Sequence, residues 1–199
     1  MPDPINDEAL NTLFRRGRSY NGWKDQDIPE IMIHAIYDLT RCGPTSANAS
    51  PARFIFLRKD SDGRKRLIPH LDKTNVEKTL TAPWTVIFAH DLDFHEKMPE
   101  LFPHNPKAKN WFSDPDSRAV NAFRNGTLQS AYFLMAARGL GLDCGPLSGF
   151  KNAGVDKEFM TGERAHWRSN WICNLGYGDK SSLFERLPRL DFEAACTIL

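Results

Sequence analysis

The sequence predicts strands and helices packed in two or three layers, a domain of the α/β or α+β class. Three observations carry this. Two short apolar runs, Phe54-Ile55-Phe56-Leu57 and Trp84-Thr85-Val86-Ile87-Phe88-Ala89, read as strands. A helical pattern extends from about Ser117 to Arg138, far longer than any strand. Helical segments separate the strand candidates and outnumber them, which suits a two- or three-layer arrangement. With 199 residues, 41% of them hydrophobic, the chain can fill one sizeable core. No repeat, low-complexity tract or linker divides it, so residues 1–199 read as one domain.

The elements follow in order. Ile5, Ala9, Leu10, Leu13 and Phe14 recur at helical spacing and predict a first helix over residues 5–16. Asp27-Ile28-Pro29-Glu30 resembles a capping box. It opens a helix to about Cys42 whose apolar face is Ile28, Met32, Ala35, Ile36 and Leu39. The first strand follows at 54–57, and residues 62–80 suggest two short helices. The run 84–89, bounded by Pro83 and Asp91, has the continuous apolar character of a buried strand. Residues 91–115 mix Pro99, Pro103, Pro106 and Pro115 with Phe94, Phe102, Trp111 and Phe112, which predicts an ordered excursion over a pocket. The long helix stops at Gly139-Leu140-Gly141. A short strand near Leu142, a turn over 145–150, a helix near 155–160 and a strand near 170–176 complete the pattern.

Composition excludes several classes. With 26 basic and 25 acidic residues there is no electrostatic case for nucleic acid or a membrane surface. No apolar run reaches the length of a membrane span, and the acidic, polar stretch Met1–Glu8 is no secretory signal. Cys42, Cys144, Cys173 and Cys196 are scattered and read as reduced thiols of a cytoplasmic protein. The six histidines lack metal-binding spacing, so no metal is expected.

The stretch Gly43-Pro44-Thr45-Ser46-Ala47-Asn48-Ala49-Ser50-Pro51-Ala52-Arg53 carries small donors and acceptors between two stiffening prolines. It is a rigid polar cradle for a multi-oxygen ligand or an ordinary Ser/Asn-rich turn. Arg18-Ser19, Asn75-Val76-Glu77-Lys78 and Arg186-Leu187-Pro188-Arg189 would together suit a phosphate with a polyol chain, although each alone reads better as solvated surface charge. Gly139-Leu140-Gly141-Leu142-Asp143-Cys144-Gly145 has the wrong spacing and the wrong helix-to-strand context for a dinucleotide fingerprint. There is no P-loop and no GxSxG elbow, and Ser148 is not flanked like a nucleophile.

Together these residues resemble the flavin-dependent nitroreductase family, nearly end to end from Leu10 to Leu199. The resemblance runs through Asn21-Gly22-Trp23, Gly43–Asn48, Ser50–Arg53, Lys78–Pro83, Leu101-Phe102-Pro103-His104, Gly145–Phe150, Asn174–Asp179 and Arg186–Leu190. It is closest to the branch containing the malonic semialdehyde reductase of the bacterial pyrimidine-utilisation (Rut) pathway. The resemblance implies an α+β fold with a central, mostly antiparallel sheet flanked by helices, in an obligate intertwined homodimer with FMN at the subunit interface. It implies that Arg18 and Ser19, with Asn21 nearby, grip the phosphate and ribityl chain. Pro44, Thr45, Ser46 and Asn48 would reach the flavin of the other subunit. Asn75 and Lys78 match the family's Asn-x-x-Lys element, Pro146, Leu147, Ser148 and Gly149 its turn beside the reactive ring nitrogen, and Arg186 its late phosphate-binding arginine.

The chain departs from the family pattern in two places. It reads Ser50-Pro51-Ala52 where the family often has Gln-Pro-Trp, and Asn21 where a basic residue is common. Both departures fit that branch. The resemblance implies that NAD(P)H and an acceptor occupy one flavin face in turn, giving ping-pong hydride transfer with FMN carrying the chemistry. In the pyrimidine-degradation branch the acceptor is malonic semialdehyde, reduced to 3-hydroxypropionate. Its carboxylate needs a cation, for which Arg53, Arg118 and Arg124 are candidates, and Phe102, His104, Trp111 and Phe112 are candidate lid residues over the pocket. The other readings are a broad nitro- or quinone reductase and a non-catalytic flavin-binding module.

Overall fold

The computed structural model describes residues 3–199; Met1 and Pro2, part of the N-terminal stretch read above, lie outside it. Four strands form one sheet: β1 (Ala52–Arg58), β2 (Trp84–Asp91), β3 (Asp143–Leu147) and β4 (Trp167–Gly176). Their spatial order is β1-β2-β4-β3, and every pairing is antiparallel. Among the described residues the α-helical pieces are α1 (Asp7–Leu10), α2 (Glu30–Thr40), α3 (Asp62–Leu67), α4 (Lys73–Thr81), α5 (Met98–Leu101), α6 (Pro115–Gly139), α7 (Asn152–Phe159) and α8 (Phe192–Ala195). The fold is α+β, with helices on both faces of an antiparallel sheet.

The central strand β2 explains the layering. Trp84, Val86 and Phe88 point to one face, where they pack with Ile33 and Ile36 of α2 and Phe133, Ala136 and Ala137 of α6. Ile87 points to the other, against Leu67 of α3, Val155 and Phe159 of α7 and the half-buried Val76 of α4. A strand buried on both faces has no polar face to show, which is why its sequence does not alternate. The apolar run therefore reports two-sided burial and carries no information on strand direction.

The long helix begins where its capping residues place it. Asp114 accepts from the Ser117 amide at 2.8 Å, and Pro115 occupies the first turn, where a missing N–H costs nothing. It ends before Gly141, whose φ of +81° is a left-handed stop. The 91–115 excursion is ordered around its own small core of Phe94, Met98, Ala108 and Phe112, which meets Ala49 and Ala122.

Several boundaries differ from the sequence reading. The first helix is one α-helical turn that widens into a π-helical turn over Asn11–Arg15, and none of its residues is buried. Its apolar residues Ile5 and Phe14 are exposed. Asp27 forms no capping box: Pro29 occupies the cap, and the Asp27 carboxylate instead accepts from Arg58 at 2.6 Å. The buried face of α2 is Ile33, Ile36 and Thr40, while Leu39 is exposed. The 145–150 turn is shorter than read, because Gly145, Pro146 and Leu147 belong to β3. Proline is tolerated there since β3 is an edge strand.

Candidate functional site

The segment after the first helix runs along the free edge of β3. Ser19 bridges Cys144 in parallel, and the Tyr20 amide donates to the Cys144 carbonyl at 3.0 Å. Approach this close requires glycine at 145, where a Cβ would come within 2.6 Å of the Tyr20 carbonyl oxygen. The C-terminal stretch crosses the same place from the other side. Arg18 donates to the Phe184 carbonyl at 2.5 Å, and Arg186 donates to the Arg15 carbonyl at 2.8 Å. Between them lies a cleft of about 540 Å³ that also presents Arg138 and Arg189. Glu185 shares the cleft, yet none of these four guanidinium groups has a carboxylate within 4.0 Å among the described residues. Four uncompensated cations facing one cavity suit a multiply charged anion such as a phosphate.

Helix α4 joins this cleft to the turn after β3. Lys78 donates to the Asn21 side-chain carbonyl at 3.2 Å, and the Trp23 indole donates to the Lys78 carbonyl at 2.8 Å. One turn earlier, the Asn75 amide donates to the Gly149 carbonyl at 2.8 Å, which also accepts from the Asp72 amide at 3.0 Å. Burial lowers the Lys78 ammonium pKa, and Lys78 has no carboxylate partner among the described residues. The structure thus places Arg18, Ser19, Asn21 and Arg186 around the cleft, joins Lys78 to Asn21, and joins Asn75 to Gly149 at the turn that follows Pro146, Leu147 and Ser148. Leu147 is buried in the sheet core, and Ser148 is exposed.

The Ser/Asn loop stands elsewhere in the subunit. Pro44, Thr45, Ser46 and Asn48 lie beside α6 and the excursion, and none of them lines the arginine cleft. The Asn125 side-chain oxygen accepts from the Ser46 amide at 2.8 Å, Thr45 Oγ1 accepts from the Ser50 amide at 3.1 Å, and Asn48 donates to the Leu101 carbonyl at 2.9 Å. Ala47, Asn48 and Ser50 have φ of 50°, 52° and 42°, a left-handed backbone that these hydrogen bonds hold in place. Asn48 and Ser50 open onto a second cleft of about 370 Å³.

The remaining candidates separate. Phe102, His104 and Trp111 come together, with ring centroids 3.9 Å (Phe102 to His104) and 5.9 Å (Phe102 to Trp111) apart, whereas Phe112 is buried beneath them against Phe94. Arg53 is engaged: it donates to the buried Asp91 carboxylate at 2.5 Å and to the Ser50 and Ala52 carbonyls. Arg118 donates to the Phe112 carbonyl at 3.1 Å and faces His95 Nε2 at 3.3 Å. Arg124 is exposed on α6 and makes no ion pair among the described residues.

Sequence reasoning missed Arg138, which the sequence marks only as the end of the long helix and which stands in the last turn of α6. It also missed Asp91, read only as a strand boundary. Asp91 is the shared partner of Arg53 and, at 3.4 Å, of His166. Among the described residues no cluster of three or more His, Cys, Asp or Glu could hold a metal. Among the described residues no helix is long and apolar enough to cross a membrane, and all four cysteines are free thiols.

Comparison with known proteins adds the family. The nitroreductase family profile matches residues 2–177. A protein of Caulobacter sp. (strain K31), named a candidate NADH dehydrogenase/NAD(P)H nitroreductase, is 52% identical over 191 residues, covering 96% of each chain. HadB of Ralstonia pickettii, named in the same way, is 50% identical over 193 residues, covering 96% of this chain and 97% of its own. Among solved structures, a candidate nitroreductase from Exiguobacterium sibiricum in complex with FMN superposes with a TM-score of 0.85 over the whole of both chains. At 14% identity that likeness is one of fold.

Proposed function

Since the chain belongs to the nitroreductase family, we propose that it is an FMN-dependent NAD(P)H oxidoreductase, a homodimer whose preferred acceptor is malonic semialdehyde. The observation that carries the cofactor is the set of guanidinium groups at Arg18, Arg138, Arg186 and Arg189, which bond backbone carbonyls but have no carboxylate partner among the described residues. They fit a flavin phosphate. Ser19 and Asn21 would bind the ribityl hydroxyls, and Asn75, Lys78 and Pro146–Gly149 would border the ring. Bound there, FMN supplies two-electron transfer between NAD(P)H and the acceptor. Lys78 provides a cation beside the ring, held by Asn21. It takes over the task that a basic residue at position 21 performs in much of the family.

Two features support the homodimer. Val120, Phe123, Leu128 and Tyr132 of α6 are exposed, and so are Phe184, Leu187, Leu190 and Phe192 of the tail, more apolar surface than an isolated subunit keeps in water. The Ser/Asn loop also lies apart from its own subunit's arginine cleft, which suits a loop that serves the partner's flavin.

The aldehyde carries a carboxylate. Of the three candidate cations Arg124 is the one free to receive it, since Arg53 and Arg118 are engaged within the subunit. A second reading, a broad nitro- or quinone reductase, is favoured by the names of relatives about half identical to this chain. Purified protein is expected to be yellow and to release FMN on denaturation. A colourless protein that takes up no FMN would overturn the reading. Comparing kcat/KM for malonic semialdehyde, nitroaromatics and quinones decides between the two acceptors.

A further inference from the structure

Arg64 is a charged residue sealed in the interior, 1% exposed. It makes no ion pair among the described residues. Its guanidinium instead serves three carbonyl groups: Thr79, Ala82 at 3.1 Å and Leu57 at 2.7 Å. Two of these belong to the C-terminal end of α4 and the third to β1.

The end of α4 needs such a donor. A helix leaves its last carbonyls without intrahelical partners. Here the following residue is Pro83, which has no N–H to give, and Ala82 is already extended at ψ 136°. The Lys78 carbonyl takes the Trp23 indole, and the carbonyls of Thr79 and Ala82 take Arg64. A cation at a helix C-terminus is also favoured by the helix dipole. Burial lowers the Arg64 pKa to about 10, so the group stays charged at neutral pH. From the sheet side, Asn174 donates to Thr79 Oγ1 at 3.0 Å and accepts from Thr85 Oγ1 at 2.6 Å, with all three residues fully buried. Asn75 and Lys78 stand three residues apart on the same helix and share a face.

We propose that Arg64 is a positioning residue for the cofactor-facing side chains: its fork closes the end of α4 onto β1 and so fixes where Asn75 and Lys78 stand. This rests on the FMN reading for its function but not for its structure. It assigns a role to a buried cation that touches neither cofactor nor substrate.

The test uses Arg64→Lys, which keeps the charge and loses the fork, and Arg64→Met, which loses both. Amide hydrogen exchange is measured on the cofactor-free full chain, and FMN affinity by fluorescence titration. Exchange over residues 73–81 is expected to quicken about tenfold in Arg64→Lys and more in Arg64→Met, with residues 84–91 and 167–176 unchanged, since each lost charge-assisted bond is felt locally. The Kd for FMN is expected to rise by about the same factor. Folded variants with parent-like exchange over 73–81, or with exchange raised equally in the strands, would overturn the proposal. So would failure of both variants to fold, which would make Arg64 a residue of the whole core. Should the parent itself bind no FMN, the exchange result still decides the role of Arg64, and the cofactor reading fails separately.

Discussion

The side-chain amide of Asn75 donates to the carbonyl oxygen of Gly149 at 2.8 Å, so helix α4 and the turn after β3 are tied together. A Cβ at position 149 would stand 2.5 Å from that same amide nitrogen and 2.7 Å from an Asp72 carboxylate oxygen. Gly149→Ala is therefore expected to push Asn75 off the turn. FMN affinity should fall about tenfold or more, and stability by about 1–3 kcal/mol through overpacking. Fluorescence titration and denaturant melts check the two effects; unchanged FMN binding would remove the Asn75–Gly149 contact from the cofactor site.

The arginine cleft predicts a phosphate effect. Arg186→Ala and Arg138→Ala should each weaken FMN binding by about ten- to a hundredfold, the range expected for one charge-assisted bond. Riboflavin, which lacks the phosphate, should bind the parent and both variants alike. Riboflavin affinity that falls in step with FMN affinity would place these arginines somewhere other than at the phosphate.

Arg124 offers a clean separation of acceptors. Arg124→Ala should raise KM for malonic semialdehyde about tenfold by removing a cation for its carboxylate, while turnover of an uncharged quinone stays as in the parent. Arg53→Ala makes a poor probe by comparison, because it takes from the buried Asp91 carboxylate its arginine partner, leaving His166 and the Asp93 amide, and should cost about 3 kcal/mol of stability. Equal KM values in Arg124→Ala and the parent would end the role of Arg124 as the carboxylate's partner.

Two histidines predict an acid limb in the stability profile. Burial lowers the pKa of His90, whose Nδ1 has no partner among the described residues, and that of His95. The folded state thus resists protonation that the unfolded chain accepts near the free value of 6.5. Stability should hold above about pH 7 and fall below it, with each histidine adding up to roughly 1.4 kcal/mol per pH unit. His90→Gln should flatten that slope. Equilibrium urea unfolding between about pH 5.5 and pH 8 measures it, and a slope kept in full by the variant would assign it to other groups.

The parts of this fold that were legible in the sequence are those fixed by local chemistry. Gly139-Leu140-Gly141 marks the end of α6, and the unbroken apolar run of β2 announces a strand covered on both faces; the start of α6 lies at Pro115, two residues before the Ser117 read from the sequence, because Asp114 caps it. Where the outcome depends on residues far apart in the chain, local reading fails. Asp27 has the composition of a cap but finds Arg58 across the fold. The residues of the cleft and the turn were legible only through resemblance to a family, since nothing local ties Asn21 to Lys78 or Asn75 to Gly149. Arg64 and Arg138 carry no motif at all. Each owes its place to carbonyl groups exposed by the end of some other element, and such a need exists only once the chain has folded.

The tail has a thermodynamic consequence. Residues 184–199 are exposed throughout, with Phe184, Leu187, Leu190 and Phe192 each more than half open to water. In the proposed homodimer this apolar surface is covered, and part of the folding free energy then resides in association. Mass action then enters its melting curve: the midpoint climbs with protein concentration and slides downward on dilution, a dependence that a self-sufficient subunit does not have.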